Sequence, residues 1–349
     1  MPDIDPILWE TGGRRPRLLL LDQTLLPHRI HRFPVEDLAC ALDAIRTLKV
    51  RGAPLLGIFG VVALSLGLRQ STANDSAPLA TALRISNLVR ETRPTAVNLG
   101  SELDRFLADA EAMEWESVEA LADCALAYAQ RLADSDRLAC EKIALHGSPF
   151  ITDGMTVATH CNAGSLATGG IGTALGILKQ ARRSGRRFRV LVPETRPLLQ
   201  GARLTALELQ LEGIPHEIIT EGALGYAYSS LGVDLTVVGA DRIAANGDTA
   251  NKVGTLVHAV LAARYGASLV VAAPLSTFDR SALSGRDIPI ETRSGEEVVN
   301  LYGTATAPTG TKAVNPAFDV TPASLISAIV TDAGVLRPPY PEAISSLPR

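Results

Sequence analysis

The feature that most constrains the fold is an alternation of short apolar runs with helical patterns from Gly154 onward. Runs of five or six residues that alternate with helices are typical of βαβ units, which build a parallel sheet with helices on both faces. We therefore predict a Rossmann-like α/β fold for this part of the chain. The predicted strands are Met155–His160, Phe188–Val192, His216–Thr220, Leu235–Gly239 and Ser268–Ala272. The predicted helices between them are Ser165–Ser184, Gly201–Glu212, Gly222–Leu231 and Thr249–Tyr265.

The first 150 residues have a different pattern. A strand candidate at Leu18–Leu21 is followed by mostly helical spacing of apolar residues, as in Val35–Leu48. Because 349 residues exceed what one hydrophobic core usually serves, two domains are expected. We predict a smaller, mainly helical N-terminal domain with a small sheet at residues 1–150, and a Rossmann-like catalytic domain at residues 151–349. Further predicted helices are Ala53–Leu68, Val97–Met113 and Trp115–Leu145.

Composition and charge argue against several classes of protein. The net charge of -4 does not favour binding to a nucleic acid, and the sequence contains no polybasic run that would bind a membrane surface.

The sequence also argues against a membrane span and an export signal. The most apolar segment, Ala53–Leu68, is short for a membrane span and contains glycines, so we interpret it as a buried helix. Met1–Pro16 carries charges and prolines where a signal peptide needs apolar residues. Four cysteines without paired spacing indicate neither a zinc site nor a disulfide framework. We expect a cytoplasmic protein.

Candidate catalytic residues follow the predicted strands. Ligands of open parallel sheets bind beyond the carboxyl ends of the strands, and Cys161 and Asp241 both lie there. A helix that opens near Ser165 would lower the pKa of the Cys161 thiol, whereas an apolar enclosure would raise it. An apolar environment would raise the pKa of the Asp241 carboxyl and let it act as a general acid. A structural cysteine and a capping or ion-paired aspartate are the alternatives.

A glycine-rich stretch suggests a different function. Gly169–Gly172 and Glu194 resemble parts of a dinucleotide site, which makes a nicotinamide-dependent dehydrogenase an alternative. The fit is poor, because Gly176 comes one residue later than the G-x-G-x-x-G spacing requires. The stretch also falls within a predicted helix and not at its turn. The backbone amides after Gly164 remain candidates for holding a phosphate.

Basic residues that could hold a phosphate are spread along the chain. An arginine binds a phosphate through its bidentate fork and a lysine binds it as a point charge. Arg51 directly precedes a Gly-Ala-Pro turn, which would fix its backbone at the entrance to the apolar helix. Each basic residue alone is more typical of a solvated surface charge or a member of an ion pair. The candidates are Arg51, Arg93, Arg203 and Lys252.

Several segments taken together resemble the methylthioribose-1-phosphate isomerase family of methionine salvage. The resemblance covers nearly the whole chain, and several motifs in the right order are more specific than any one of them. The segments are Val50–Pro54, Arg93–Leu99, Thr159–Gly164, Glu194–Pro197, Gln200–Ala206, Val238–Asp248, Asn251–Lys252, Ile288–Glu291 and Asn315–Pro322.

The resemblance implies a homodimeric enzyme that converts 5-methylthioribose 1-phosphate into 5-methylthioribulose 1-phosphate without a metal or a nucleotide cofactor. It also implies that Cys161 and Asp241 are the catalytic pair, with Asp241 as proton donor. Because the phosphate blocks the anomeric oxygen, an acid must help to open the ring before hydrogen moves from C2 to C1. Proton transfer and hydride transfer both remain open for that step. The implied substrate contacts are Arg51, Gly52, Ala53, Arg93, Gln200, Asn251 and Lys252.

Some positions depart from the family pattern. Leu55 and Leu56 stand where alanine and isoleucine are usual. Gly100 and Ser101 stand where bulky aromatic residues are common, and Leu256 and Glu221 replace a tyrosine and an aspartate. These changes leave open a substrate with another 5-substituent, such as a 5-deoxyribose, 5-halogenated or ribose phosphate.

A non-catalytic function is a further alternative, because the family shares its fold with regulatory subunits of a translation initiation guanine-nucleotide-exchange factor. The presence of Cys161, Asp241 and the Asn251–Lys252 pair argues against a pure binding subunit.

Overall fold

The computed structural model describes residues 4–10, 17–71, 77–93 and 97–348. The chain groups into two compact units, Met1–Leu138 with Ser165–Gly170, and Ala139–Gly164 with Ile171–Arg349. The division thus falls within a long helix, and a short segment after residue 164 belongs to the first unit. That the chain has two domains with a boundary at residue 150 stays a prediction. Of the motifs noted above, Pro94, Thr95 and Ala96, and Met1–Asp3 with Thr11–Pro16 of the N-terminal segment, lie outside the described residues.

The first unit combines a small sheet with helices. The strands form an antiparallel sheet in the order β1-β2-β3. The predicted helices of this region are all present, and the long α5, of which residues 139–147 belong to the second unit, is continuous. The elements are β1 (Ile7–Glu10), β2 (Arg17–Leu21), β3 (Arg32–Pro34), α1 (Leu38–Arg46), α2 (Ala53–Arg69), α3 (Pro78–Arg90), α4 (Val97–Glu111) and α5 (Val118–Gly147).

The core of the first unit is built around α2. This helix is apolar on all sides and almost entirely buried, as expected for a helix surrounded by others. A β-carbon on Gly60 would lie 2.4 Å from Leu99 Cδ1, and one on Gly57 would lie 2.9 Å from Glu102 Cγ. The two glycines therefore allow α4 to pack closely against α2. In the described parts of the chain, no helix is long and apolar enough to cross a membrane.

The second unit contains a mixed sheet of seven strands, together with shorter strand pairs and helices. In chain order, its elements are β4 (Thr156–Ala158), α6 (Ala174–Arg183), β5 (Arg189–Pro193), α7 (Ala206–Leu211), β6 (His216–Ile219), α8 (Leu224–Tyr226), β7 (Leu235–Val238), β8 (Arg242–Ala244), β9 (Thr249–Lys252), α9 (Thr255–Tyr265), β10 (Ser268–Ala272), β11 (Phe278–Asp279), α10 (Glu296–Val299), β12 (Asn300–Leu301), β13 (Thr304–Ala305), β14 (Phe318–Thr321), β15 (Ala328–Thr331), β16 (Gly334–Leu336) and α11 (Tyr340–Ser345).

The strand order of the large sheet is β16-β15-β10-β7-β4-β5-β6. Its pairs are parallel except for the edge pair of β15 and β16. The five predicted strands correspond to β4, β5, β6, β7 and β10, so the predicted parallel sheet is confirmed. From β4 the chain adds strands first on one side, as β5 and β6, and then on the other, as β7 and β10. The order therefore reverses between β4 and β7, which is where open α/β sheets bind their ligands.

Two predicted helices begin later than the sequence suggested. The helix predicted from Ser165 is a single 3₁₀ turn at Ser165–Ala167, and α6 begins only at Ala174. Gly172, with φ +96°, interrupts the helical conformation and lies in a β-bridge to Gly164. The helix predicted from Thr249 begins at Thr255, because residues 249–252 form β9 in a hairpin with β8.

Candidate active site

Cys161 and Asp241 lie at the same edge of the large sheet. Cys161 follows β4 and Asp241 follows β7, and these strands are parallel neighbours with Ala158 opposite Thr236. Both residues are partly buried. The structure therefore places the two predicted catalytic residues beyond the carboxyl ends of the strands that flank the reversal of strand order.

The backbone of Cys161 has a left-handed conformation, with φ +56°. Its N–H donates to Thr195 Oγ1 at 3.1 Å, and its carbonyl oxygen accepts a hydrogen bond from Thr205 Oγ1 at 2.6 Å. Thr195 follows β5, and Thr205 ends the π-helical turn Gly201–Thr205 that leads into α7. The helix expected to lower the thiol pKa from a start near Ser165 is absent, so that part of the sequence argument is wrong.

A buried ion pair supports the turn of Cys161. Lys179 on α6 donates to Glu208 on α7 at 2.7 Å, and both side chains are almost fully buried. The other carboxylate oxygen of Glu208 accepts a hydrogen bond from Asn162 Nδ2 at 2.9 Å. A β-carbon on Gly164 would lie 2.2 Å from this carboxylate, so only glycine allows the backbone to pass there. The residues on both sides of Asn162 are thereby fixed against α7.

The turn of Cys161 is also bonded to the turn that carries Asn251 and Lys252. His160 Nε2 donates to the carbonyl oxygen of Val253 at 2.8 Å. Burial lowers the pKa of His160 to about 4, so its imidazole is neutral at neutral pH. This hydrogen bond thus joins two turns that are remote in sequence.

Behind His160 lies a second buried histidine. The ring centroids of His160 and His258 are 5.2 Å apart. His258 Nδ1 is hydrogen-bonded to the Tyr228 hydroxyl at 2.9 Å, and that hydroxyl also contacts the hydroxyl of Thr236 on β7. Burial lowers the pKa of His258 well below its usual value, with a contribution from the neighbouring His160. This network packs a neutral polar layer beneath the candidate site.

Asp241 belongs to the hairpin that carries the predicted substrate contacts. Its N–H donates to the carbonyl oxygen of Ala250 at 2.9 Å, which places it beside Asn251 and Lys252. Asn251 Nδ2 donates to Thr255 Oγ1 at 2.9 Å, and Lys252 Nζ donates to the carbonyl oxygen of Ala317 at 2.8 Å. The structure therefore brings three predicted site residues together at one end of the hairpin, with Asp241 directly before β8 and with Asn251 and Lys252 on β9.

Gln200 is buried with an unsatisfied acceptor. The residue is 8% exposed, and its Oε1 has no hydrogen-bond partner among the residues that the structure describes. A buried carbonyl oxygen without a donor costs free energy, so this atom is suited to accept a hydrogen bond from a ligand. Gln200 immediately precedes the π-helical turn that positions Thr205.

The remaining predicted site residues lie in the first unit. Arg51 Nε donates to Gln23 Oε1 at 3.1 Å, and Gln23 Nε2 donates to the carbonyl oxygen of Leu166 at 2.8 Å. Gly52 has φ +102°, and a β-carbon on it would lie 2.5 Å from the Ala167 backbone, so glycine is required. These contacts fix Arg51 at the start of α2.

Ala53 is the first residue of α2. Arg93 lies between α3 and α4, next to undescribed residues. Ala53 and Arg93 therefore belong to the first unit, whereas Cys161 belongs to the second.

Sequence reasoning missed the residues that support the site. His160 and Thr195 follow predicted strands, and with Thr205 they lie within the motifs of the family resemblance, but nothing in the sequence indicated their supporting contacts. Among the described residues, no group of three or more His, Cys, Asp or Glu side chains could hold a metal ion. The missed residues are Gln23, His160, Thr195, Thr205, Glu208 and the lysine partner Lys179.

The fold and the candidate site are those of a known protein family. The model of the initiation factor 2 subunit family matches residues 49–338. This match covers most of the chain, and the chain belongs to that family.

Individual relatives are more specific. The chain is 46% identical over 341 residues to methylthioribose-1-phosphate isomerase of Desulforudis audaxviator, covering 98% of this chain and 97% of the relative. Among solved structures, 5-methylthioribose 1-phosphate isomerase from Pyrococcus horikoshii OT3 has a TM-score of 0.86 and 35% identity, covering 97% of this chain and 95% of that one. The resemblance to the isomerase family that the motifs indicated is thereby confirmed.

A second solved structure carries a different name. It is the translation initiation factor eIF-2B, subunit delta, from A. fulgidus, with a TM-score of 0.83 and 37% identity, covering 98% of this chain and 100% of that one. The same fold is therefore associated with two functions at similar sequence identity.

Proposed function

We propose that this protein is an aldose–ketose isomerase that converts 5-methylthioribose 1-phosphate into 5-methylthioribulose 1-phosphate in the cytoplasm, as part of methionine salvage. The observation that carries the proposal is the position of Cys161 and Asp241 after neighbouring parallel strands, where the strand order reverses. Relatives of nearly full length with 43–46% identity bear the isomerase name. The proposal includes a Rossmann-like catalytic domain and a smaller, mainly helical domain.

In this proposal Asp241 acts as the general acid. The 1-phosphate prevents the sugar from opening spontaneously, so the ring oxygen must receive a proton. A protonated Asp241 supplies it, and Cys161 takes part in moving hydrogen from C2 to C1. The buried imidazoles of His160 and His258 are neutral at neutral pH, so they add no charge beneath the site.

The other predicted site residues bind the substrate. Arg51, Arg93 and Lys252 supply positive charge for the phosphate. The Gln200 amide oxygen, which is buried and has no partner among the residues that the structure describes, accepts a hydrogen bond from a sugar hydroxyl. Gly52, Ala53 and Asn251 complete the set that the family resemblance implies.

The proposal is tested by assaying the purified protein for ketose formation from the 1-phosphates of 5-methylthioribose, 5-deoxyribose and ribose. We expect the highest rate with 5-methylthioribose 1-phosphate. Asp241→Asn and Cys161→Ser should each lower kcat by at least about a hundredfold. Asp234→Asn, which changes a carboxylate bonded to the backbone of β4, is the matched control. Absence of turnover with every substrate would reject the proposal.

The hydrogen transfer is resolved with substrate deuterated at C2. Loss of the label to water would support a proton transfer that involves Cys161. Complete retention of the label at C1 would support a direct hydride shift instead. With either result, the kcat of the Asp241→Asn variant tests the role of Asp241 in ring opening.

A regulatory binding subunit is the second candidate, favoured by the 37% identity to the eIF-2B subunit delta structure. The presence of both Cys161 and Asp241 at the reversal of strand order supports the enzyme. A protein that binds a sugar phosphate but does not turn it over would favour the regulatory function.

We also propose a homodimer, as the family resemblance implies. The outward side of α9 exposes Val257, Val260 and Tyr265, and Tyr226 of the neighbouring α8 is 60% exposed. Burial of these side chains against a second copy would remove their apolar area from water. Light scattering should give a dimer, and Val260→Lys should give a folded monomer. Ile218→Lys, on the exposed edge strand β6, is the control that should remain dimeric.

A further inference from the structure

Cys161 has a backbone conformation that its residue type does not favour. With φ +56° it lies in the left-handed region, where the β-carbon crowds the backbone. Such a conformation persists only when the surroundings hold it, and strained residues of this kind cluster at functional sites. Specific contacts must therefore hold Cys161 in this conformation.

Two buried threonine hydroxyls bond the two sides of Cys161. The hydroxyl of Thr195 accepts a hydrogen bond from the Cys161 N–H at 3.1 Å. The hydroxyl of Thr205 donates to the Cys161 carbonyl oxygen at 2.6 Å. Both threonines are completely buried. The N–H and the carbonyl of one residue are thus fixed from two separate elements, the loop after β5 and the turn before α7.

Each threonine is itself held in place. The hydroxyl of Thr195 also donates to the Pro193 carbonyl oxygen at 3.3 Å, which leaves its lone pairs to accept from Cys161. The N–H of Thr195 donates to the carboxylate of Glu221. The hydroxyl of Thr205 accepts a hydrogen bond from Asn162 Nδ2 at 3.2 Å. Both hydroxyls therefore have a fixed donor and acceptor direction.

The elements that carry the threonines are packed closely together. A β-carbon on Gly201 would lie 1.8 Å from the Pro193 carbonyl oxygen and 2.9 Å from Thr195 Oγ1. The glycine allows the turn that ends at Thr205 to press against the loop of Thr195. The spacing between the two hydroxyls is consequently fixed by backbone packing.

We propose that Thr195 and Thr205 are positioning residues that hold the Cys161 peptide in its left-handed conformation and so set the direction of the thiol for the reaction. This inference rests on the proposed isomerase function. A relaxation of φ to a negative value turns the Cα–Cβ bond and moves the sulfur away from its working position. A misplacement of about 1 Å in a catalytic group costs about a hundredfold in rate.

The experiment compares valine and serine at each threonine. Valine keeps the volume and removes the hydroxyl, whereas serine keeps the hydroxyl. Thr321→Val is the matched control, because Thr321 is fully buried and its hydroxyl has no hydrogen-bond partner among the described residues. Steady-state kinetics give kcat and KM with 5-methylthioribose 1-phosphate. The rate of Cys161 alkylation by iodoacetamide, followed against pH by mass spectrometry of its peptide, needs no turnover.

We expect Thr205→Val and Thr195→Val to lower kcat by about 10- to 100-fold with little change in KM. Both should also shift the pH profile of Cys161 alkylation. The serine variants should recover kcat to within about threefold of the wild-type value, and Thr321→Val should match the wild type. Circular dichroism shows whether each variant is folded. If one valine variant does not fold, the valine variant of the other threonine and the two serine variants still test the proposal.

Wild-type kcat and an unchanged alkylation profile in the folded valine variants would overturn the proposal. Valine variants that are only less stable, with kcat per folded molecule unchanged, would do the same. A wild-type protein without turnover would reject the isomerase function, while the alkylation profiles would still decide whether the threonines hold Cys161.

Discussion

The imidazole of His160 donates a hydrogen bond from Nε2 to the carbonyl oxygen of Val253 at 2.8 Å. His160 directly precedes Cys161, and Val253 directly follows Lys252, so this bond joins the two turns that carry the proposed site. A β-carbon on Gly254 would lie 2.9 Å from the His160 ring, and this glycine has φ +105°. The close approach of the two turns therefore depends both on Gly254, which leaves space for the ring, and on the hydrogen bond that His160 donates.

Replacement of His160 should disturb both turns at once. In His160→Leu the buried carbonyl of Val253 loses its donor, which should lower the free energy of unfolding by about 1–3 kcal/mol. We also expect a lower kcat through Cys161 and a higher KM through Lys252. His160→Gln places an amide N–H near the former Nε2 and should recover most of both effects. Urea unfolding and steady-state kinetics measure them.

His28→Leu is the control, since His28 is exposed and should tolerate the change. A His160→Leu variant with wild-type KM and kcat would contradict the coupling of the two turns.

Acid should destabilise the protein through the two buried histidines. Burial lowers the pKa of His160 to about 4 and that of His258 well below its usual 6.5, so the unfolded chain binds protons that the folded one does not. The contribution of His160 to stability is complete above pH 6.5 and is lost as pH falls from 6.5 toward 4, and the contribution of His258 is lost in the same direction. Each histidine contributes a slope of up to about 1.4 kcal/mol per pH unit in this range. Urea unfolding at pH 7 and pH 5 measures the change.

The comparison with His160→Gln separates the histidines from the carboxylates, which also titrate in acid. The variant should lose less stability between pH 7 and pH 5 than the wild type. Equal losses of stability in the two proteins would show that protonation of His160 does not destabilise the protein between pH 7 and pH 5.

Gln23 should influence phosphate binding through Arg51. Its Oε1 accepts a hydrogen bond from Arg51 Nε, and its Nε2 is bonded to the carbonyl oxygen of Leu166. In Gln23→Leu the guanidinium loses this support, and we expect KM to rise about tenfold, which corresponds to about 1.4 kcal/mol. The value of kcat should change little. Steady-state kinetics test this, with the exposed Gln210→Leu as control; an unchanged KM would show that Arg51 is held without Gln23.

The ion pair of Lys179 and Glu208 can be compared with the more exposed pair of Arg183 on α6 and Glu212 directly after α7. Lys179→Met leaves the buried carboxylate without this ammonium and should cost about 3–5 kcal/mol of stability. Arg183→Met, which breaks the more exposed pair with Glu212, should cost less than about 1 kcal/mol. Urea unfolding measures both.

A double variant, Lys179→Met with Glu208→Gln, should lose less than the sum of its single changes, because no buried charge remains unbalanced. Strictly additive losses would contradict an energetic coupling between the two groups.

The sequence by itself determined the parallel strands and the residues that follow them. Short, almost entirely apolar runs such as Leu235–Val238 are buried on both faces, and the local composition of the sequence indicates that burial. Because the carboxyl ends of parallel strands share an edge, the order of strands and polar residues along the chain was enough to place Cys161 and Asp241 at the same edge of the sheet. The family motifs then indicated the chemistry of the site.

Local pattern failed where backbone conformation depends on distant contacts. The apolar spacing after Ser165 resembles a helix, but the left-handed Gly172 and its bridge to Gly164 delay α6 to Ala174. In the same way, pairing with β8 turns Thr249–Lys252 into a strand. A hydrogen-bond ladder formed with a remote partner outweighs a weak helical preference.

Only the tertiary structure decided which side chains support the proposed catalytic residues. Thr195 and Thr205 are 34 and 44 positions from Cys161, and His160 is 93 positions from Val253. No periodicity links residues at such separations, because their contacts arise from the strand order and from the packing of turns at one edge of the sheet. The sequence determines which groups follow each strand, and the packed sheet determines which of them hold the reactive residues in place.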